Sequence, residues 1–164
     1  LFRDIISYYL RNPLLISFST IFFGLLLWLS DVIGKQQRSI NSINKKDALI
    51  IGLLQILAFI PGASRSGITM TTGLMLGLDR NTAVKFSFFI SVPIILAAAL
   101  YEASNLIQVG NDIDIFNFII TVILSALSSF FTIHLFLKFL DRIGMLPFVI
   151  YRLILGTILL FMFV

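Results

Sequence analysis

Long apolar runs, separated by short polar segments, make up most of this chain. A helix that crosses a lipid bilayer needs about 20 predominantly apolar residues. With their flanks, four runs reach that length, and they cover residues 12–30, 83–103, 115–138 and 147–164. The pattern therefore predicts four membrane-spanning helices.

Two further apolar runs, 48–60 and 68–78, are shorter. Runs of about 10–14 residues are typical of re-entrant or buried segments rather than of full spans. The polar segment 31–47 has a basic excess and is expected on the cytoplasmic side, whereas 102–114 carries only acidic charges and is expected outside. An odd number of crossings must separate these two segments. One span plus a re-entrant hairpin at about 48–80 satisfies that count.

The composition agrees with a membrane protein. Of the 164 residues 59% are hydrophobic and only 12% are charged, about half of the usual charged share. The predicted fold class is therefore an all-α polytopic membrane protein with a re-entrant helix-turn-helix, forming one transmembrane domain. The net charge of +4 lies mostly in short loops, so we expect no nucleic-acid partner. Cysteine is absent, which excludes thiolate chemistry and cysteine metal sites in this chain.

The stretch 61–69 interrupts the apolar pattern between the two short runs. An arginine at membrane depth costs about 2.5–3.5 kcal/mol on insertion scales, so such a site is a functional hypothesis by default. Glycines permit close approach, a helix N-terminus attracts anions, and a guanidinium suits phosphate. The residues thus indicate a phosphate or carboxylate site, with a helix break and a structural ion pair as the alternative.

The heptapeptide at 61–67, followed by Thr69, resembles the PGxSRSG signature of the bacitracin-resistance type undecaprenyl-diphosphate phosphatases. The resemblance covers nearly the whole chain, including Phe86-Ser87-Phe88 and Tyr151-Arg152. It implies hydrolysis of undecaprenyl diphosphate to undecaprenyl phosphate in the bacterial plasma (inner) membrane, which recycles the cell-wall lipid carrier and confers bacitracin resistance. The family is built from two inverted repeats. We expect this chain to match the second, without the glutamate-rich motif and functional histidine of the first.

The resemblance also implies roles for individual residues. Arg65 is expected to hold the diphosphate and to stabilise charge in the transition state, with Ser64 and Ser66 as phosphate donors. Attack by a serine, by a histidine or by water stays open, because no adjacent base activates a serine. The expected substrate-binding residues are Gly62, Gly67, Thr69 and Gln55, although Gln55 also fits a simple contact between helices.

Cofactor and partners follow from the same resemblance. The family implies a divalent cation, Mg²⁺ or Ca²⁺, but no carboxylate lies near the motif, so no metal ligand is predicted in this chain. The expected partners are the lipid substrate and membrane lipids, and a homodimer stays open. Arg152 is expected to pair with Asp141 or to extend to the membrane surface. Two other functions stay open: an inverted-repeat transporter or flippase with a mid-membrane anion site, and a scaffold without chemistry.

Overall fold

The computed structural model describes residues 12–109 and 115–163, without the side chains of 106–109 and 141. The chain folds into α-helices and two short 3₁₀ segments, Ile40–Ser42 and Gln55–Phe59. The α-helices of the described residues are α1 (Pro13–Ile33), α2 (Lys45–Leu54), α3 (Arg65–Met75), α4 (Arg80–Val109), α5 (Ile115–Ile143) and α6 (Leu146–Phe163).

Four helices of the described ranges, α1, α4, α5 and α6, are long and apolar enough to cross a membrane. The chain is therefore an all-α polytopic membrane protein, and this part of the prediction is confirmed. The predicted polar loop at 102–114 is wrong over its first part, because α4 continues to Val109. No glycine or proline ends the helix before Gly110, which explains its length. Asp112 and Asp114 lie outside the described residues.

The short helices α2 and α3 form the hairpin. A capping box begins α2: the Asn44 side chain accepts from the Asp47 amide at 2.9 Å, and the Asp47 carboxylate accepts from the Asn44 amide at 3.0 Å. The preceding loop joins the end of α3, since Arg38 donates to Asp47 and to the Leu76 carbonyl. Both ends of the hairpin are thus fixed at one place.

The buried core lies where α1, α2, α3 and α6 meet the start of α4 and the end of α5. It includes Ile51, Leu74 and Leu78, each with no exposed surface. Small residues let α6 approach α1 closely: a Cβ on Gly156 would lie 2.6 Å from Ile21 Cγ1. In contrast, no side chain is buried in the most apolar membrane-length stretch of α5. This apolar surface is therefore available to lipid or to other protein.

Candidate anion site at the hairpin tip

The turn between the two hairpin helices depends on Gly62. Its φ is +89°, a backbone conformation that residues with a side chain rarely adopt. A Cβ there would lie 2.7 Å from both the Ile16 carbonyl oxygen and Thr20 Oγ1 on α1. The Ser19 hydroxyl of the same helix donates to the Pro61 carbonyl. The turn therefore rests directly on α1, and only glycine fits at position 62.

Ser64 follows as the N-cap of α3. Its φ of +62° is unusual for a residue with a side chain, and such backbone strain often occurs at functional sites. Ser64 Oγ accepts from the Gly67 amide at 3.3 Å and lies 3.4 Å from Ser66 Oγ. Both serines are exposed. The strained cap thus presents two neighbouring hydroxyls at the N-terminus of a helix.

Arg65 is the first residue of α3, and its side chain is exposed. Within the described part of the chain it has neither an ion pair nor a hydrogen-bonded side-chain partner. Together with Gln55 it borders two neighbouring cavities of about 420 and about 550 Å³. The alternative from the sequence, a structural ion pair for Arg65, is not what the described residues show. The guanidinium is free to meet a ligand in either cavity.

The smaller cavity has a polar wall and an apolar wall. Its polar residues include Ser66 and Thr69 from α3 and Ser87 and Ser91 from α4. Thr69 is buried, and its hydroxyl lies 2.6 Å from Ser87 Oγ and 3.0 Å from the Ser66 carbonyl oxygen. A hydroxyl donates only one hydrogen bond, so the Thr69 hydroxyl donates to a neighbouring protein oxygen in the wall of the cavity. The larger cavity is mainly apolar, lined by Ile56, Phe59, Ile90 and Ile94 among others.

Most of the predicted site residues come together here. Arg65, Ser66, Thr69 and Gln55 line the smaller cavity. The two predicted glycines have a different place, because Gly62 rests on α1 and a Cβ on Gly67 would lie 2.8 Å from Arg152 Nη1. These glycines let the tip pack against α1 and α6, and they do not line the cavity.

Sequence reasoning missed Ser87 and Ser91 as cavity residues. A signal was present: the two serines stand four residues apart in an otherwise apolar run, which places them on one helix face. His134 does not line this cavity: it is exposed on α5, with its ring near that of Phe130.

Arg152 of α6 was also missed as part of the site. It is 8% exposed, and it turns inward to the hairpin tip instead of outward to the membrane surface. Its Nη2 donates to the Gly62 carbonyl at 2.5 Å and to the Ala63 carbonyl at 3.1 Å, and its Nε donates to the Thr20 carbonyl at 3.4 Å. These contacts join α1, α6 and the tip in one place.

The donors around the tip do not fit a divalent cation. They are hydroxyls, one amide and guanidinium groups, with no carboxylate among the described residues that line the cavity, whereas Mg²⁺ and Ca²⁺ sites in proteins are usually built on carboxylates. Across residues 12–109 and 115–163, no group of three or more histidine, aspartate or glutamate side chains is placed to hold a metal. The arrangement suits an anion instead, with positive charge, hydroxyl donors and a helix N-terminus on one side of a cavity.

Fold and site together define a polytopic α-helical membrane protein in which an exposed arginine and two serine hydroxyls lie at the tip of a hairpin. Residues 1–158 match the family model described as Bacitracin resistance protein BacA. The chain belongs to this family, as the heptapeptide at the tip predicted.

Curated relatives are similar over nearly the whole chain. The chain is 51% identical to Undecaprenyl-diphosphatase 2 of Stutzerimonas stutzeri, over 99% of this chain and 62% of that protein. It is 50% identical to Undecaprenyl-diphosphatase 1 of Pseudoalteromonas translucida, over 96% of this chain and 59% of that protein. It is 48% identical to an Undecaprenyl-diphosphatase of Chromohalobacter salexigens, over 98% and 60% respectively. The chain thus spans about three fifths of the length of these relatives.

Proposed function

We propose that the complete protein hydrolyses undecaprenyl diphosphate to undecaprenyl phosphate and inorganic phosphate, and that this chain supplies the diphosphate-binding tip. Membership in the BacA family and the names of the relatives support the proposal. The expected consequences are recycling of the cell-wall lipid carrier and resistance to bacitracin.

One observation of the site carries the proposal. Arg65 is an exposed guanidinium at the N-terminus of α3, it borders two cavities, and no described residue pairs with it. At membrane depth, an arginine that only stabilised the fold would be paired with another charge or with backbone carbonyls. A planar guanidinium beside hydroxyls and helix amides matches the oxygens of a diphosphate.

In the proposed reaction the nucleophile forms a bond to the terminal phosphorus while the bond from that phosphorus to the bridging oxygen breaks. Negative charge grows on the bridging oxygen, which leaves as part of undecaprenyl phosphate. Arg65 binds the phosphate oxygens and stabilises this charge, and the Ser64 and Ser66 hydroxyls donate hydrogen bonds to it. Gln55 borders both cavities and is placed to orient the substrate between them.

No described residue lining the smaller cavity is a histidine, aspartate or glutamate that could accept the proton of the nucleophile. We therefore assign charge stabilisation, and not proton transfer, to the tip. The divalent cation implied by the family stays a proposal, and we route no step through it because the donors described here do not fit one.

We place the protein in the bacterial plasma (inner) membrane, with the hairpin 48–80 entering from one face so that its tip lies at mid-depth. Backbone that is not helical is tolerated there only against protein or in a cavity that water can fill, and the tip meets both conditions: it packs on α1 and borders a cavity. Assembly as a homodimer belongs to the same proposal. No specific contact favours the transporter alternative, and the relatives are named as enzymes.

The test replaces Arg65 in the complete protein. For Arg65→Ala we expect phosphate release from undecaprenyl diphosphate in detergent micelles to fall by about 10²–10³-fold, the usual cost of removing one donor to transition-state charge. The matched control is Arg142→Ala, since Arg142 is an exposed arginine outside the cavity lining.

Both variants must be compared at equal amounts of folded protein. Wild-type phosphate release by Arg65→Ala would overturn the proposed role. Movement of intact lipid across a vesicle membrane without phosphate release by the wild-type protein would favour a transporter instead.

A further inference from the structure

A buried arginine on the last helix has no described carboxylate partner. Arg152 lies inside a membrane-length helix, and no ion pair is found for it among the described residues. Its guanidinium is instead satisfied by the carbonyls of Gly62, Ala63 and Thr20. A charge in a membrane-spanning segment is costly and marks a functional hypothesis by default, and two of its three contacts, Gly62 and Ala63, lie in the turn before Ser64.

The contacts of Arg152 determine the orientation of the tip peptides. No peptide bond of the described chain is cis, so each carbonyl points opposite to the N–H of the next residue. With the Ala63 carbonyl held by Arg152, the Ser64 N–H must point away from α6. The same contact holds the peptide group that joins Ala63 to Ser64. The φ of Ser64 is +62°, and such a strained conformation persists only when the surrounding structure supports it.

The space around the guanidinium is kept open by glycines on both sides. A Cβ on Gly67 would lie 2.8 Å from Arg152 Nη1, and a Cβ on Gly24 would lie 3.3 Å from Arg152 Cβ. Arg152 therefore sits between α1 and the first turn of α3, directly behind the exposed residues Ser64 and Arg65.

We infer that Arg152 is a positioning residue for the diphosphate site: it holds the carbonyls of Gly62 and Ala63 and thereby sets the geometry in which Ser64, Arg65 and Ser66 meet the substrate. The inference rests on the proposed function. The two arginines have separate tasks, because Arg65 faces the cavity without a partner while Arg152 uses its donors on the backbone of the tip.

The experiment measures kcat and KM for phosphate release by the complete protein carrying Arg152→Gln or Arg152→Lys, per folded molecule. A misplacement of about 1 Å costs about 100-fold in rate, so kcat of Arg152→Gln should fall by that order. KM should change far less, because Arg65 itself remains. Arg152→Lys keeps the charge but lacks the planar guanidinium, so its kcat should lie between those of the wild-type protein and Arg152→Gln.

The control is Gly156→Ala, one turn further along α6. Its Cβ presses on Ile21 and not on the tip, so it loosens the packing of α6 on α1 without touching the carbonyls of 62 and 63. It should lower the apparent Tm and leave kcat per folded molecule unchanged. Should Arg152→Gln not fold, Arg152→Lys decides: its kcat must fall clearly below that of Gly156→Ala.

Two outcomes would overturn the inference while the proposed function stands. One is a wild-type kcat in the folded Arg152 variants, and the other is an equal loss of kcat in Gly156→Ala. If the wild-type protein releases no phosphate, the proposed function fails and a second readout decides. This chain has no cysteine, so Ser66→Cys adds a single thiol to it. A changed rate of thiol labelling on adding Arg152→Gln supports the positioning role, and an unchanged rate overturns it.

Discussion

The hydroxyls of Thr69 and Ser87 lie 2.6 Å apart, and this contact joins the hairpin helix α3 to the spanning helix α4. Both residues are buried and both line the smaller cavity. Thr69 has further partners in its own helix, the carbonyls of Arg65 and Ser66, whereas the only partner found for Ser87 among the described residues is Thr69. The two hydroxyls therefore depend on each other unequally.

Thr69→Val should destabilise the protein by about 1–3 kcal/mol, because it leaves the buried Ser87 hydroxyl without its partner. Ser87→Ala should cost less, since Thr69 keeps its helix carbonyls. The measurement is thermal unfolding in detergent, with a double-mutant cycle to obtain the coupling. Thr121→Val is the control: this threonine is exposed on α5 and should change stability by less than about 0.5 kcal/mol. Equal losses for all three single variants would contradict the prediction.

Gly62→Ala should destabilise the hairpin by about 2–5 kcal/mol, which combines overpacking against α1 with a positive φ. Gly52→Ala is the matched comparison in α2, where a Cβ would meet nothing within 4 Å. That variant should gain about 0.5–1 kcal/mol from helix propensity. Unfolding of both variants in the same detergent checks the contrast, and a tolerated Gly62→Ala would show that the turn does not rest on α1 as described.

Arg80→Ala should destabilise the junction of three helices by about 1–3 kcal/mol. Asp31 at the end of α1 accepts from Arg80 Nε at 2.6 Å and Nη2 at 3.1 Å on α4, and from the Met145 amide at 3.3 Å at the start of α6. Removing Arg80 leaves a mostly buried carboxylate with weaker partners. Lys85→Ala, an exposed charge on the same helix, should have little effect, and an equal loss there would point to general charge removal instead.

The pair Arg38–Asp47 predicts a pH dependence at the base of the hairpin. The hydrogen bond from Arg38, and then that from the Asn44 amide, lowers the pKa of Asp47 below the ordinary value of 3.8. A lowered folded-state pKa stabilises the hairpin above the unfolded-state pKa, and this contribution is lost as pH falls through the folded-state pKa. The protection factors of the α2 amides, which correct for the pH dependence of intrinsic exchange, should therefore fall in acid below pH 3.8. In Asp47→Asn the same amides should exchange faster at neutral pH and show a flatter response to acid.

The fold class and the position of the hairpin tip were predictable from local sequence patterns. The apolar run lengths predicted an all-α membrane fold, and a proline, two glycines and an arginine between two short runs placed the tip at 61–69. The arginine, hydroxyls and helix start of the tip are close in sequence, so their meeting at a cavity was predictable from local spacing. Gln55 belonged to the same local pattern.

The rest depended on contacts between distant residues. Arg152 lies 90 residues beyond Gly62, and Asp31 lies 49 residues before Arg80. Nothing in hydrophobic periodicity states which carbonyl or carboxylate a buried arginine will meet, because that is fixed by how the helices pack. The polar loop at 102–114 was expected from charge alone, yet helix propensity without a breaker carried α4 on to Val109.

The contact between Arg152 and the turn can form only some time after the turn itself has been synthesised. A ribosome that adds about 5–20 residues per second needs about 5–20 s to go from residue 62 to residue 152. During that interval the hairpin is already synthesised, but the carbonyls of Gly62 and Ala63 still lack the cation that holds them. The site is thus finished by the last helix to leave the ribosome in this chain, and a nascent chain stalled before α6 would carry the motif without its finished shape.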